Sequence, residues 1–174
     1  MSLPLSRLTT PMFVRGLTIL STLLTKGEAH AAATGSAPET LLDARLAPDM
    51  LPLLAQIQRA SDTSKFAVQR ISAVDAPKFA DDERSFAQLQ RRIADTIAYL
   101  DSVDAAAIDA GGGREVKLNW GAAGADFTGE SYLLGFALPN FYFHVVTAYD
   151  ILRHQGVKIG KLDYLGPFED TGAA

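Results

Sequence analysis

The stretch LPNFYFHVVTAYDILRHQG, residues 138–156, decides the fold class. Phe141, Tyr142, Phe143, Val145, Val146, Ala148, Tyr149, Ile151 and Leu152 leave it almost no polar side. A helix that is apolar nearly all round is buried against several neighbours. The spacing predicts a helix from Pro139 to about Gln155, with Pro in its first turn and Gly156 as its C-terminal stop. Such a helix needs other helices around it, and the rest of the chain offers three.

Working back from it, the clearest is SFAQLQRRIADTIAYL, residues 85–100. Phe86, Leu89, Ile93, Ile97 and Leu100 form its apolar stripe. Ser85 and Gln88 have capping-box spacing, and Gln88, Arg91, Arg92 and Asp95 are expected to face water. A second helix is predicted from Pro48 to about Ala73. Met50, Leu53, Leu54, Ile57, Ser64, Val68 and Ile71 lie on one side of it, and Pro52 lies in its first turns. Thr10-Pro11 can start the first helix, and Phe13, Leu17, Leu20 and Leu24 follow at helical spacing. Residues 2–9 read as an earlier helical segment bent at Pro11. Residues 29–39 read as a helix tail and a loop.

Between the third and fourth helices, residues 102–113 read as a linker ending in a slack triplet, Gly111-Gly112-Gly113. Nothing there matches a phosphate-binding loop. REVKLNW, residues 114–120, alternates polar and apolar positions like a half-buried strand. DFTGESYLLGFA, residues 126–137, reads as a second strand, giving a hairpin that needs the bundle for support. The expectation is one all-α domain over residues 1–168: an up-and-down four-helix bundle with a small β-hairpin between helices three and four. The long link leaves room for a crossover. VKIGKLDYLGPF is expected to pack back on the domain, and residues 169–174 to form a disordered tail.

Composition narrows the function classes. The chain has 174 residues, 48% hydrophobic and 21% charged, enough for one core. Its net charge of −4 and scattered Lys and Arg argue against a nucleic-acid surface. It has no cysteine, which excludes disulfides, thiolate nucleophiles and Cys-ligated metals and fits a cytoplasmic location. Met1 to Thr10 lacks the pattern of a signal peptide. Charges, Gly and Pro interrupt every apolar stretch, so no membrane span is expected.

Chemistry converges on His144, in the middle of the most apolar helix, where both ring nitrogens need partners. Asn140 lies one turn earlier on the same face, and Thr147 and Ile151 continue it. Asp49, at the predicted start of the second helix, could face His144, and Gln56 or Asp62 could line the same groove. His30 and His154 read as helix-end residues, and Asp81-Asp82-Glu83 as capping charge. Three readings stay open. One is a small-molecule pocket between helices two and four involving Asp49, Gln56, Asn140, Tyr142, His144 and Tyr149, with no cofactor. One is a weak divalent-metal site on His144 and Asp49, with waters and one more oxygen ligand. The third is an oligomerising module, with a homodimer formed through the apolar last helix.

Three stretches resemble a known family: TPMFVRGLTILSTLL at 10–24, ARLAPDMLPLLAQIQRASD at 44–62 and LPNFYFHVVTAYDILRHQGVKIGKLDYLG at 138–166. They are similar to the domain-of-unknown-function family DUF1993, within the DinB/YfiT-like four-helix-bundle superfamily. The resemblance implies that fold and a pocket between helices two and four. It also implies the superfamily's divalent-metal site, built from one His on helix two and an H-x-x-x-H pair on helix four. Counting back from Leu152-Arg153 places the last ligand at His144 and the one before it at Asn140. Helix two has no His, and Asp49-Met50 stand where its ligand would be.

Overall fold

Thr10-Pro11 opens a helix of 25 residues because Pro is tolerated in the first turn and the apolar residues then recur every three or four positions. This is α1 (Thr10–Thr34), preceded by one 3-10 turn at Leu5–Leu8. There follow α2 (Pro38–Leu42), α3 (Leu53–Ser72), α4 (Phe86–Ser102), α5 (Ala105–Asp109), β1 (Glu115–Trp120) and β2 (Ala123–Thr128). After β2 come α6 (Gly129–Tyr132), a π turn at Leu133–Ala137, α7 (Leu138–His154) and α8 (Lys161–Leu165). The structure, a computed structural model of the chain, describes residues 3–120 and 123–166. The expected disordered tail, 169–174, lies outside them.

The four long helices, α1, α3, α4 and α7, form the body. Helix α1 packs on α4 and α7, and so does α3. Helices α1 and α3 therefore take opposite corners, and so do α4 and α7. A plain up-and-down bundle would put consecutive helices side by side. Here both long links, 35–52 and 103–137, cross a diagonal. Phe13, Leu17, Leu20, Leu53, Val68, Leu89, Phe141 and Val145 meet at the centre, all fully buried. Phe13 and Phe141 pack edge to face, 5.0 Å between ring centres.

Several boundaries differ from the sequence expectation. Helix α3 starts at Leu53, not Pro48, because Pro52 takes an extended backbone and serves as its N-cap. The Ser85 cap forms, its Oγ accepting from the Gln88 N–H at 3.2 Å. The Gln88 Oε1, however, accepts from Arg84 N–H rather than Ser85 N–H. Strand β2 pairs antiparallel with β1 but ends at Thr128. Thr128 and Ser131 then cap each other reciprocally and start a helix where more strand was expected. That helix runs through the π turn into α7. The wider turn sits just before Pro139, which has no N–H to give the preceding turn.

The segment Leu5–Thr34 is long and apolar enough to cross a membrane, which corrects the expectation that no stretch is. In this fold its Phe13, Leu17, Leu20, Leu23 and Leu24 point into the core. The C-terminal segment does pack back on the domain. Val157 and Ile159 are buried, Lys26 pairs with Asp163, and Arg15 donates to the Leu165 carbonyl.

Candidate functional site

Helices α3 and α7 run antiparallel, and three side-chain pairs bridge them like rungs. Gln56 meets His144, Thr63 meets Asn140, and Arg70 meets Tyr132 of α6. The α3 members are seven residues apart, two helical turns, so each step is about 10 Å along the axis.

The first rung fixes a proton. Gln56 is 1% exposed, and its Nε2 donates to the Leu51 carbonyl at 3.0 Å. Its Oε1 therefore faces His144 Nδ1, 2.7 Å away. Because Oε1 can only accept, Nδ1 carries the hydrogen and Nε2 holds the lone pair. Burial, aided by the positive charge of Arg59, pulls the His144 pKa down to about 4, so the ring is neutral at pH 7. Among the described residues Nε2 has no hydrogen-bond partner.

On the second rung Asn140 Nδ2 donates to Thr63 Oγ1 at 2.8 Å. On the third, Arg70 Nη1 donates to Tyr132 Oη at 2.9 Å. The Arg70 guanidinium also lies 5.6 Å from the Phe66 ring and 5.7 Å from the Tyr132 ring. Tyr132 is fully buried. Burial raises its pKa and outweighs the opposing charge of Arg70, so it keeps its proton. A cavity of about 270 Å³ opens between the helices. Arg59, Asp62, Thr63, Arg70, Asn140 and His144 supply its polar lining, and Phe66 and Phe136 add aromatic surface.

Behind the cavity lies a charge cluster. Arg92, expected to face water, is 2% exposed. It reaches Asp62 at 2.8 Å, Asp81 at 2.6 Å and Glu83 at 2.9 Å, and its Nε donates to Ser61. Asp81 and Glu83 are thus ion-pair partners rather than capping charge, and they pin the 73–85 loop to α4. Lys65, also 2% exposed, binds Asp62 at 3.1 Å and the Pro77 carbonyl at 2.8 Å. Its ammonium lies over the rings of Phe66 and Phe79.

The model of a family described as "Domain of unknown function (DUF1993)" matches residues 5–165. The chain belongs to the DUF1993 family. Among solved structures it is similar to the crystal structure of a DinB family member protein from Shewanella denitrificans. The two are 38% identical, the match covers 94% of this chain and 93% of that one, and the TM-score is 0.87. No curated protein matches the chain.

In this DUF1993 protein, Gln56, Asn140 and His144 fall together as rungs, and Asp62 lines the same cavity. The partner expected for His144 was Asn140 or Asp49, but it is Gln56. Asp49 lies exposed in the turn before α3 and does not line the cavity. Tyr142 and Tyr149 leave α7 on other flanks. Tyr142 donates to the Met12 carbonyl of α1, and Tyr149 packs on Tyr164 of α8. Sequence reasoning missed Arg59, Thr63, Phe66 and Arg70, although their spacing of four, three and four marks one stripe of α3. It also missed Tyr132, which lay within the misread strand.

The donors do not suit the metal implied by the superfamily. His144 offers one nitrogen, the position before it is an amide engaged with Thr63, and a guanidinium charge stands nearby. Among the described residues no three His, Asp or Glu side chains are grouped to hold a metal ion.

The His144–Gln56 rung can be tested directly. His144→Leu leaves the Gln56 carbonyl buried without a donor and is expected to cost about 1–3 kcal/mol. Adding Gln56→Leu should recover part of that loss in a thermal-melt double-mutant cycle, and strict additivity would refute the rung. The ring also links stability to pH. Between about 4, its folded pKa, and 6.5, its ordinary value, the unfolded chain binds a proton that the folded chain does not. This contribution is therefore complete above pH 6.5, is lost as pH falls towards 4, and levels off below that. His144→Leu should remove this slope, at most about 1.4 kcal/mol per pH unit.

Proposed function

We propose that this protein binds a small organic molecule in the cavity between α3 and α7, as a DinB-like bundle that uses protein donors and acceptors in place of a metal. The observation that carries this reading is the locked neutral tautomer of His144, with Nε2 free to accept a hydrogen bond at a polar cavity. Small-molecule sites combine such a cavity with a few fixed polar groups.

The test has two parts. The purified protein, dialysed against a mild chelator, is analysed for metals, and amide and imidazole NMR shifts are followed during a fragment screen. The expected result is no stoichiometric zinc or nickel, and fragments that shift residues 59–70 and 140–144. Stoichiometric metal that survives dialysis and is lost in His144→Ala would replace this reading with the metalloenzyme one.

Homodimer formation through α7 is a separate proposal resting on one observation. Phe143 is 55% exposed and Val146 39% exposed on its outer side. Light scattering showing a monomer at high concentration would end it.

A further inference from the structure

We infer, taking the cavity between α3 and α7 as the ligand site, that its ligand is an elongated organic monocarboxylate with an O–H or N–H donor at the far end. The argument begins with charge. Asp62 is engaged by Arg92 at 2.8 Å, Lys65 at 3.1 Å and Arg59 at 3.5 Å. Arg59 in turn holds Asp81 at 3.0 Å. Arg70 differs. Among the described residues its partners are the Tyr132 hydroxyl and two aromatic rings, and none is a carboxylate. One full positive charge therefore stands at this end of the cavity without an anion.

The guanidinium is also oriented. The Phe66 and Tyr132 rings flank it at 5.6 and 5.7 Å, the Tyr132 hydroxyl anchors one of its five N–H groups, and the other four stay available. A planar fork held in place suits a two-oxygen anion better than a point charge would. Tyr132 accepts from Arg70 and keeps its own O–H to donate. Thr63 accepts from Asn140 and likewise keeps a proton. Donors thus dominate the Arg70 end.

The His144 end has the opposite character. Its Nε2 lone pair accepts and cannot donate, because the proton is fixed on Nδ1 by Gln56. That lone pair favours a hydroxyl or N–H, and Arg59, the cation nearest this end, is already held by Asp62 and Asp81, so no second carboxylate is called for. The α3 lining runs from Arg59 to Arg70, about 16 Å along the axis, so the ligand is elongated. Phe66 and Phe136 offer its body aromatic surface.

The probe is 3-(4-hydroxyphenyl)propionate. It is compared with its neutral amide and with 3-phenylpropionate, which lacks the hydroxyl, by titration calorimetry and NMR. The acid is expected to bind wild type at least about tenfold more tightly than the amide. Arg70→Gln should abolish that preference, weakening the acid far more than the amide, while Arg70→Lys keeps part of it. Arg70 is exposed, so these variants should fold, and a melt checks this. In His144→Leu the acid and its deoxy analogue should bind equally. An amide that binds wild type as tightly as the acid overturns the carboxylate inference and leaves the cavity reading intact. If none of the three probes shifts residues 59–70 or 132–144 at millimolar concentration, the cavity reading fails and the inference fails with it.

Discussion

Arg92→Leu is expected to destabilise the protein by about 3–5 kcal/mol, the usual cost of removing one partner from a buried ion pair. The guanidinium is 2% exposed and meets three carboxylates, those of Asp62, Asp81 and Glu83. Without it, Glu83 keeps its hydrogen bonds from Gln58 at 2.8 Å and from its own backbone N–H, and Asp81 keeps that from Arg59 at 3.0 Å. Three like charges then face one another in a poorly solvated space. In urea the midpoint should fall with an unchanged slope. Arg92→Lys should lie between, since an ammonium cannot reach three carboxylates and Ser61 together.

The pH dependence of that loss identifies its cause. Burial works to raise the Glu83 pKa, but hydrogen bonds from Gln58 and Arg92 outweigh it and hold the carboxyl below its usual range. Its contribution is therefore present above the unfolded value of about 4.5 and is lost as pH falls through the lower folded value. In Arg92→Leu the carboxylates gain from protonation, so the deficit should shrink as pH falls below 5. A deficit that stays constant with pH would mean that lost packing, not charge, causes it.

Gly111→Ala and Gly129→Ala are each expected to cost about 3 kcal/mol or more. A Cβ on Gly111 would stand 2.0 Å from the Ile71 carbonyl oxygen, and one on Gly129 would stand 2.2 Å from the Gly111 carbonyl oxygen. Three backbones cross here: the end of α3, the glycine turn and the start of α6. The atoms met are backbone, so no rotamer change relieves the overlap. The Glu130 N–H donates to the Gly112 carbonyl at 2.9 Å, which ties the turn to α6. For a chain of this length the expected loss is roughly 6–12 °C in melting temperature. Gly113 is the control. Nothing lies within 4 Å of a Cβ there, so Gly113→Ala should melt within a few degrees of wild type. If Gly111→Ala melts with it, the turn is slack, as the sequence alone suggested.

The elements that were legible were those whose periodicity repeats over many residues. Residues 85–100 and 138–156 announced α4 and α7 because an apolar stripe at helical spacing has no other use. Residues 126–137 did not, because the alternation that precedes them carries the eye past the reciprocal cap of Thr128 and Ser131. The Pro48–Pro52 turn was hidden because Pro is tolerated early in a helix, and a cap and a first-turn residue look alike until the backbone is seen.

By itself, the sequence determined the helical class, the four long helices, the hairpin after the third, and His144 as a polar group inside an apolar helix. These are local properties, set by which side of each segment is apolar. Only the tertiary structure decided which sides meet. It put α1 and α3, and likewise α4 and α7, on opposite corners and turned Arg92 from water into a carboxylate cluster. It packed the glycine turn against two backbones and aligned Gln56, Thr63 and Arg70 with His144, Asn140 and Tyr132. A charged side chain on a helix reads as solvated from its own segment. Whether it is buried depends on the loop that crosses over it, and no local periodicity encodes that crossing.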